Sequence, residues 1–240
     1  MKFETRILHA DWYTDREANV AEITRYAEQL GPVRVVNDEQ RIGHLNAQMT
    51  MLAMEPIEPD VDWILTTTDD VGFPCEASHW AGQVQRAVAR VHAQPRVAAV
   101  GLSNGRKSNL DAAIRAGTPW VVGDDPWDFA LLWRAAWVPR MCEWVEKNVH
   151  PTYKWGDRAT SSWMKVKGLE CWIATAPSLA THVKMDGPTN TARHCEGHGA
   201  IVEGEWGDWQ SEATPPRAAG TPNYYKIWEQ EQGLVGWQKS

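Results

Sequence analysis

Nowhere in the 240 residues does an apolar run approach the roughly 18 to 20 positions that a membrane-spanning helix requires. The opening stretch, MKFETRILHADWY, also lacks the long apolar core of a secretory signal. The four cysteines (Cys75, Cys142, Cys171 and Cys195) never take CxxC spacing, which argues against a disulfide framework or a zinc knuckle. A reduced, cytoplasmic setting with free thiols is therefore expected. Positive charge is scarce as well: the formal net charge of −7 gives no general attraction to phosphate backbones or anionic membranes. There is no HExxH, and no glycine-rich phosphate loop near the N-terminus, where HADWYTD stands instead.

Alternating apolar segments are present in a recognisable order. Phe3 to His9 predicts a strand, and Thr14 to Glu17 has the pattern of a capping box opening a helix with Val20, Ile23, Ala27 and Leu30 on one face, ended by Gly31-Pro32. VRVVN (33–37) predicts a second strand, HLNAQMTMLAM a second helix, and the run from Trp63 a third strand. Trp80, Val84, Ala87, Val88 and Val91 mark another helix, followed by strands at VAAVGL (97–102) and WVVG (120–123). The alternation predicts an α/β fold: a single Rossmann-like domain whose mostly parallel central sheet is flanked by helices. Ligands of such sheets collect at the carboxyl ends of the strands.

The third strand runs directly into two acids, as DWILTTTDDVGFP. Adjacent carboxylates repel, and a cation beside them lowers the cost of keeping both ionised; hard oxygen ligands of this kind suit Mg²⁺ or Mn²⁺ bridging phosphates. A plain strand-end turn with one Asp capping the next helix is the competing reading.

Three segments in order give the chain a resemblance to the GT-A-type nucleotide-sugar glycosyltransferases, small and phage-type in scale. WILTTTDDV looks like their strand ending in a DxD motif, with Asp70 in the metal-binding place and Asp69 in the middle. YKWGDRATSSWMKVKGLECWIATAPSL resembles their later acidic motif, with Asp157 at the acid. PSLATHV looks like the closing segment whose histidine, here His182, completes the metal site. The similarity covers roughly residues 3 to 184 and has one departure: Thr68 stands where the first DxD acid belongs.

The resemblance implies a hexosyltransferase-like enzyme that moves a sugar from a nucleotide sugar, a UDP-sugar above others, to a hydroxyl acceptor with the help of Mn²⁺ or Mg²⁺. The acceptor is left open among a glycan, a protein, a small molecule and a hydroxylated base of modified DNA. It further implies that Asp70 and His182 hold the metal and that Asp157 is the catalytic base. His9, Asp11, Asn37, Asp38, Arg41, Asn46 and Asp69 would then lie at the nucleotide sugar. Taken alone, Asp157 reads equally well as a helix N-cap, and His182 as a structural histidine. The missing first acid keeps a second function class open, a GT-A-like binding module with weak or no catalysis.

Twelve of the 15 tryptophans fall from Trp120 onward. Many must be core, but Trp127 and Trp155 stand beside acidic loop residues, and indoles stack on sugar faces. GDDPWDFALLW (123–133) adds Asp124, Asp125 and Asp128 as hydroxyl acceptors, so Asp124, Asp125, Trp127 and Trp155 are expected at the acceptor. His194, Cys195 and His198 lie within five residues but have no second ligand pair at finger spacing, which favours a loop over zinc. The expected organisation is a catalytic domain over 1–203, with a nucleotide-sugar half (1–105) and an acceptor half (106–203). A Gly-, Pro- and Trp-rich extension over 204–240 would follow it, as a wrap or a partner-binding arm.

Overall fold

The computed structural model describes residues 1–13, 15–38, 44–53, 56–104, 107–123, 130–150, 156–175, 178–183 and 215–217. The first half alternates as read from the sequence. Strand β1 (Phe3–His9) leads to α1 (Glu17–Ala27), β2 (Val33–Asn37), α2 (His44–Ala53) and β3 (Trp63–Thr68). A two-residue strand β4 (Val71–Gly72) precedes α3 (Ala77–His92), β5 (Val97–Gly101), α4 (Lys107–Ala116) and β6 (Trp120–Gly123). Then come β7 (Ala130–Arg134), α5 (Val138–Asn148), α6 (Gly156–Lys167), β8 (Glu170–Ala174) and a second two-residue strand, β9 (Thr181–His182).

Seven strands form one sheet in the order β2-β1-β3-β7-β5-β8-β6, and β4 pairs with β9 in a small second sheet. Strands β2, β1, β3, β5 and β8 run one way, while β7 and β6 run against them. The α/β class with a mostly parallel central sheet is thus the architecture found. Strand β7 was not foreseen: FALLW is too short an apolar run to separate from its acidic, tryptophan-containing surroundings. It lies antiparallel between β3 and β5, joining the two parallel halves.

Each face of the sheet buries its own core. Phe3, Ile7, Trp63, Leu65, Trp80, Val84 and Val100 pack on the side of α1 and α3. Ile64, Ala99, Leu131, Trp133, Met141 and Trp163 pack on the side of α5 and α6. Five tryptophans (Trp63, Trp80, Trp120, Trp133 and Trp163) are fully buried, so part of the tryptophan excess is core. The second face also buries an ion pair, Arg6 Nε to Glu4 Oε1 at 2.7 Å. The Arg6 guanidinium further donates to the carbonyls of Met51 and Leu52, at 2.9 and 2.8 Å, satisfying acceptors in the last turn of α2.

Two local expectations change. Helix α1 begins at Glu17 with Arg16 at the N-cap and no side-chain cap bond, since a guanidinium offers no acceptor to the first-turn amides and here donates to Asp69 instead. The helix ends at Ala27, ahead of Gly31-Pro32. What Gly31 provides is close approach: a Cβ there would stand 2.3 Å from the Phe3 carbonyl oxygen, so only glycine lets the chain pass β1. At the far edge of the sheet, the β6 amide of Val122 donates to the Pro216 carbonyl at 3.0 Å, and Arg217 bridges in parallel to Val122. A piece of the expected extension therefore covers an edge strand.

Candidate active site at the carboxyl edge of the sheet

Strand β3 ends at Thr68 and delivers two acids into a tight turn with different surroundings. Asp69 is 1% exposed and points back into the protein. Its Oδ2 accepts from the Ala10 amide at 2.6 Å and lies 3.0 Å from His9 Nδ1, and its Oδ1 accepts from the Arg16 guanidinium. Arg16 also stacks over the Tyr13 ring, 4.6 Å from its centroid. The Asn19 amide, projecting from α1, donates to the carbonyls of Asp69 and Val71 at 2.7 and 2.9 Å, clamping the turn from outside. Asp69 thus ties the end of β1 and the start of α1 to the end of β3.

Asp70 faces the other way. The Thr68 hydroxyl donates to its Oδ1 at 2.6 Å, so the residue that departs from the DxD pattern orients the acid that follows it. Strand β9 returns the chain to this point: Val71 pairs with His182, and the Val183 amide donates to the Asp70 carbonyl at 2.8 Å. His182 Nδ1 lies 3.5 Å from Asp70 Oδ2, an ion-pair distance rather than a close hydrogen bond. Burial pushes the Asp70 carboxyl up, but the His182 imidazole, the Thr68 hydroxyl and the more distant Arg16 charge outweigh it and hold the group below the ordinary carboxylate value.

The return path is fixed by the end of β5. The amides of Leu179 and Ala180 both donate to the Leu102 carbonyl, at 2.6 and 3.0 Å, and Trp80 Nε1 donates to the Leu179 carbonyl at 2.7 Å. A buried tryptophan of α3 therefore anchors the segment that carries His182.

The residues read from the sequence fall into three groups. The structure brings together His9, Asp69, Asp70 and His182, with Asn37 opposite His9 in the β1–β2 register and the Asp38 amide donating to the His9 carbonyl at 2.9 Å. Within this group, the side chains of His9 and Asp69 engage one another, and both oxygens of Asp69 accept from protein donors. Asp11 is exposed in the turn after β1. Asp157 is half-buried in the first turn of α6, where its Oδ1 accepts from the Arg158 amide at 2.8 Å. Arg41, Asp124, Asp125, Trp127, Asp128, Trp155, His194, Cys195 and His198 lie outside the described residues, as does the side chain of Asn46, which sits on α2.

Arg16, Asn19 and Thr68 were missed as site residues. The signal available for Arg16 was indirect, since a carboxylate driven into a core needs a cation and the segment after β1 supplies one.

A divalent cation can be tested against this donor set. Asp70 and His182 offer one carboxylate and one imidazole, and among the described residues no group of three or more His, Cys, Asp or Glu side chains converges. Two protein donors of this kind fit a cation whose other positions are filled by phosphate oxygens and water.

No family model and no curated protein matches the chain. Among solved structures it is similar to a mannosyltransferase from Pyrobaculum calidifontis in complex with GDP-Man and Mn²⁺, at 15% identity and a TM-score of 0.44, over 72% of this chain and 57% of that one. The chain therefore spans little more than half the length of that enzyme. It is also similar to A197 from STIV, at 12% identity and a TM-score of 0.46, over 80% of this chain and 92% of that one. A third is 4-diphosphocytidyl-2C-methyl-D-erythritol synthase from Anaerococcus prevotii, at 14% identity and a TM-score of 0.37, over 72% and 88% of the two chains. At such identities the likeness concerns the path of the chain and not its chemistry.

Proposed function

We propose that this chain is a nucleotide-sugar-dependent glycosyltransferase of GT-A type, acting on a hydroxyl acceptor with a divalent cation at Asp70 and His182. One observation carries the reading. Two residues more than a hundred positions apart, each picked out by its place in an ordered set of motifs, meet at the carboxyl end of a central strand, 3.5 Å apart. Nothing in the packing of β3 requires an acid there, and a buried carboxylate held ionised beside an imidazole is a donor set suited to a metal–diphosphate.

In this reading the nucleoside lies over the ends of β1 and β2, near Asp11, Asn37 and Asp38. Asp69, His9 and Arg16 form the scaffold that presents Asp70. A cation bound there would neutralise charge on the departing diphosphate. In the transfer itself, the C1–O bond to the diphosphate breaks with its electron pair leaving on the diphosphate oxygen. The acceptor oxygen bonds to C1, and its proton passes to Asp157 as base. The position of Asp157 in the first turn of a helix favours its ionised form, as a base requires.

The second reading, a binding module without turnover, is favoured by Thr68 in place of an acid. Thermal-shift measurements with UDP-glucose and GDP-mannose, with and without Mn²⁺, followed by assay of nucleoside diphosphate release, test both. Metal-dependent stabilisation with release supports the transferase, and stabilisation without release supports the module. A shift with neither donor would overturn the nucleotide-sugar assignment.

A further inference from the structure

The two outer strands of the seven-stranded sheet, β2 and β6, differ in what they show at the edge. An open edge offers its backbone groups to any other strand, and a charge on it discourages that pairing. Strand β2, VRVVN, carries Arg34. Strand β6, WVVG, carries no charge, and its Trp120, Val121 and Val122 are strand-forming residues at 8% exposure or less.

The hydrogen bonds of β6 show which of its groups face outward. Along an antiparallel strand, the amides of alternate residues point away from the partner. On β6 these belong to Trp120 and Val122, and both are engaged: Trp120 donates to Thr118 Oγ1 at 3.4 Å, and Val122 to the Pro216 carbonyl at 3.0 Å. The second bond comes from a strap, residues 215–217, which runs parallel to β6 and bridges it at Val122 and Arg217. The Arg217 guanidinium then reaches across β6 to Glu170 Oε1 of β8, 3.8 Å away.

The chemistry of the strap suits it to end a sheet rather than extend it. Neither Pro215 nor Pro216 has an amide hydrogen, so the strap gives β6 an acceptor while offering few donors to a further strand. Arg217, 82% exposed, places a charge where β6 has none. A strap on the same chain also competes at an effective concentration of the order of 1 mM, so for contacts of equal strength a second copy at about 1 µM stands at a roughly thousandfold disadvantage.

We infer that residues 215–217 form a guard strap that keeps β6 from pairing edge to edge with β6 of a second copy of this chain. A second copy is the partner that fits, because two uncharged β6 edges related by a twofold axis offer each other the same outward amides and carbonyls. The inference concerns association and goes beyond the nucleotide-sugar reading, which stands or falls without it.

Hydrogen exchange of the full chain read by mass spectrometry, with sedimentation velocity on the same samples, tests this. The comparison is wild type against Pro216→Gly/Arg217→Glu, which loosens the strap backbone and sets a carboxylate against Glu170. At about 5 µM the β6 peptide of the variant is expected to exchange at least about tenfold faster than in wild type, with the β3 and β5 peptides unchanged. At about 200 µM the variant is expected to sediment as a dimer and its β6 peptide to regain protection, while wild type stays monomeric. Arg217→Glu alone, an exposed substitution that leaves the backbone bonds in place, carries the same expectation at smaller amplitude and decides the matter if the double variant unfolds. Unchanged β6 exchange in the variants would show that the strap does not hold the edge. Variants that stay monomeric, or that associate while β6 remains unprotected, would show that it does not guard it. Either result overturns the inference, as would wild type that gains β6 protection with concentration.

Discussion

His182 Nδ1 stands 3.5 Å from Asp70 Oδ2, although one residue closes the β3 turn and the other ends a segment anchored on β5 and α3. Two independently tethered pieces of chain thus meet at one point. Replacing Asp70 with Asn should lower turnover about 100-fold or more, the scale seen when a group that stabilises developing charge is removed. His182→Ala should raise the Mn²⁺ concentration needed for half-maximal activity about tenfold, with a smaller effect at saturating metal. A metal titration of activity checks both. An unchanged metal requirement in His182→Ala would remove the histidine from the site.

The adjacent acids should separate cleanly by stability. Asp69→Asn takes the carboxylate partner away from a buried guanidinium and is expected to cost about 3 to 5 kcal/mol. Asp70→Asn keeps an acceptor for the Thr68 hydroxyl and should cost about 1 kcal/mol. Urea denaturation of the two variants at neutral pH gives the comparison. Equal losses would contradict the division between scaffold and ligand.

Acid should erase the stabilising contribution of Asp70 in a defined window. Its carboxyl is held below the ordinary value in the folded chain, so the contribution is present above the unfolded-state value and is lost as pH falls through the lower folded value. The stability gap between wild type and Asp70→Asn should therefore shrink between about pH 5 and pH 3. A gap that stays constant across this range would mean that the local environment does not favour the ionised form.

Cys142, half-buried on α5, has its thiol pushed up to about 11 by burial, against a small opposing effect of Arg6. At pH 8 its alkylation by iodoacetamide should be about 100-fold slower in the folded chain than in denaturant, since the thiolate is the nucleophile. Peptide mapping by mass spectrometry reads the two rates directly.

The first half of the fold was legible because its elements carried local signals: apolar and β-branched residues between turn residues in β1, β2 and β3, and a stripe from Trp80 to Val91 in α3. Strand β7 was not, since its place depends on two partners distant in sequence and five residues hold no period of their own. The Asp70–His182 meeting was legible through motif order. The division of labour between Asp69 and Asp70 was not, because identical side chains one residue apart are distinguished only by which of them meets Arg16 and which meets Thr68 and His182.

The late arrival of β7 has a consequence for how the chain comes into being. During synthesis β3 and β5 are both complete by residue 101, yet each exposes a bare edge until Ala130–Arg134 slots between them. The three-stranded β2-β1-β3 piece must wait with its β3 edge unpaired and β5 with both edges unpaired, and the pairing that joins β3 to β7 spans more than sixty positions. Such long-range closure is slow, and open edges are where nascent chains mispair with one another. The threonines of β3, Thr66 to Thr68, are suited to that interval: they hold strand geometry while keeping the waiting edge less sticky than an unbroken aliphatic one would be.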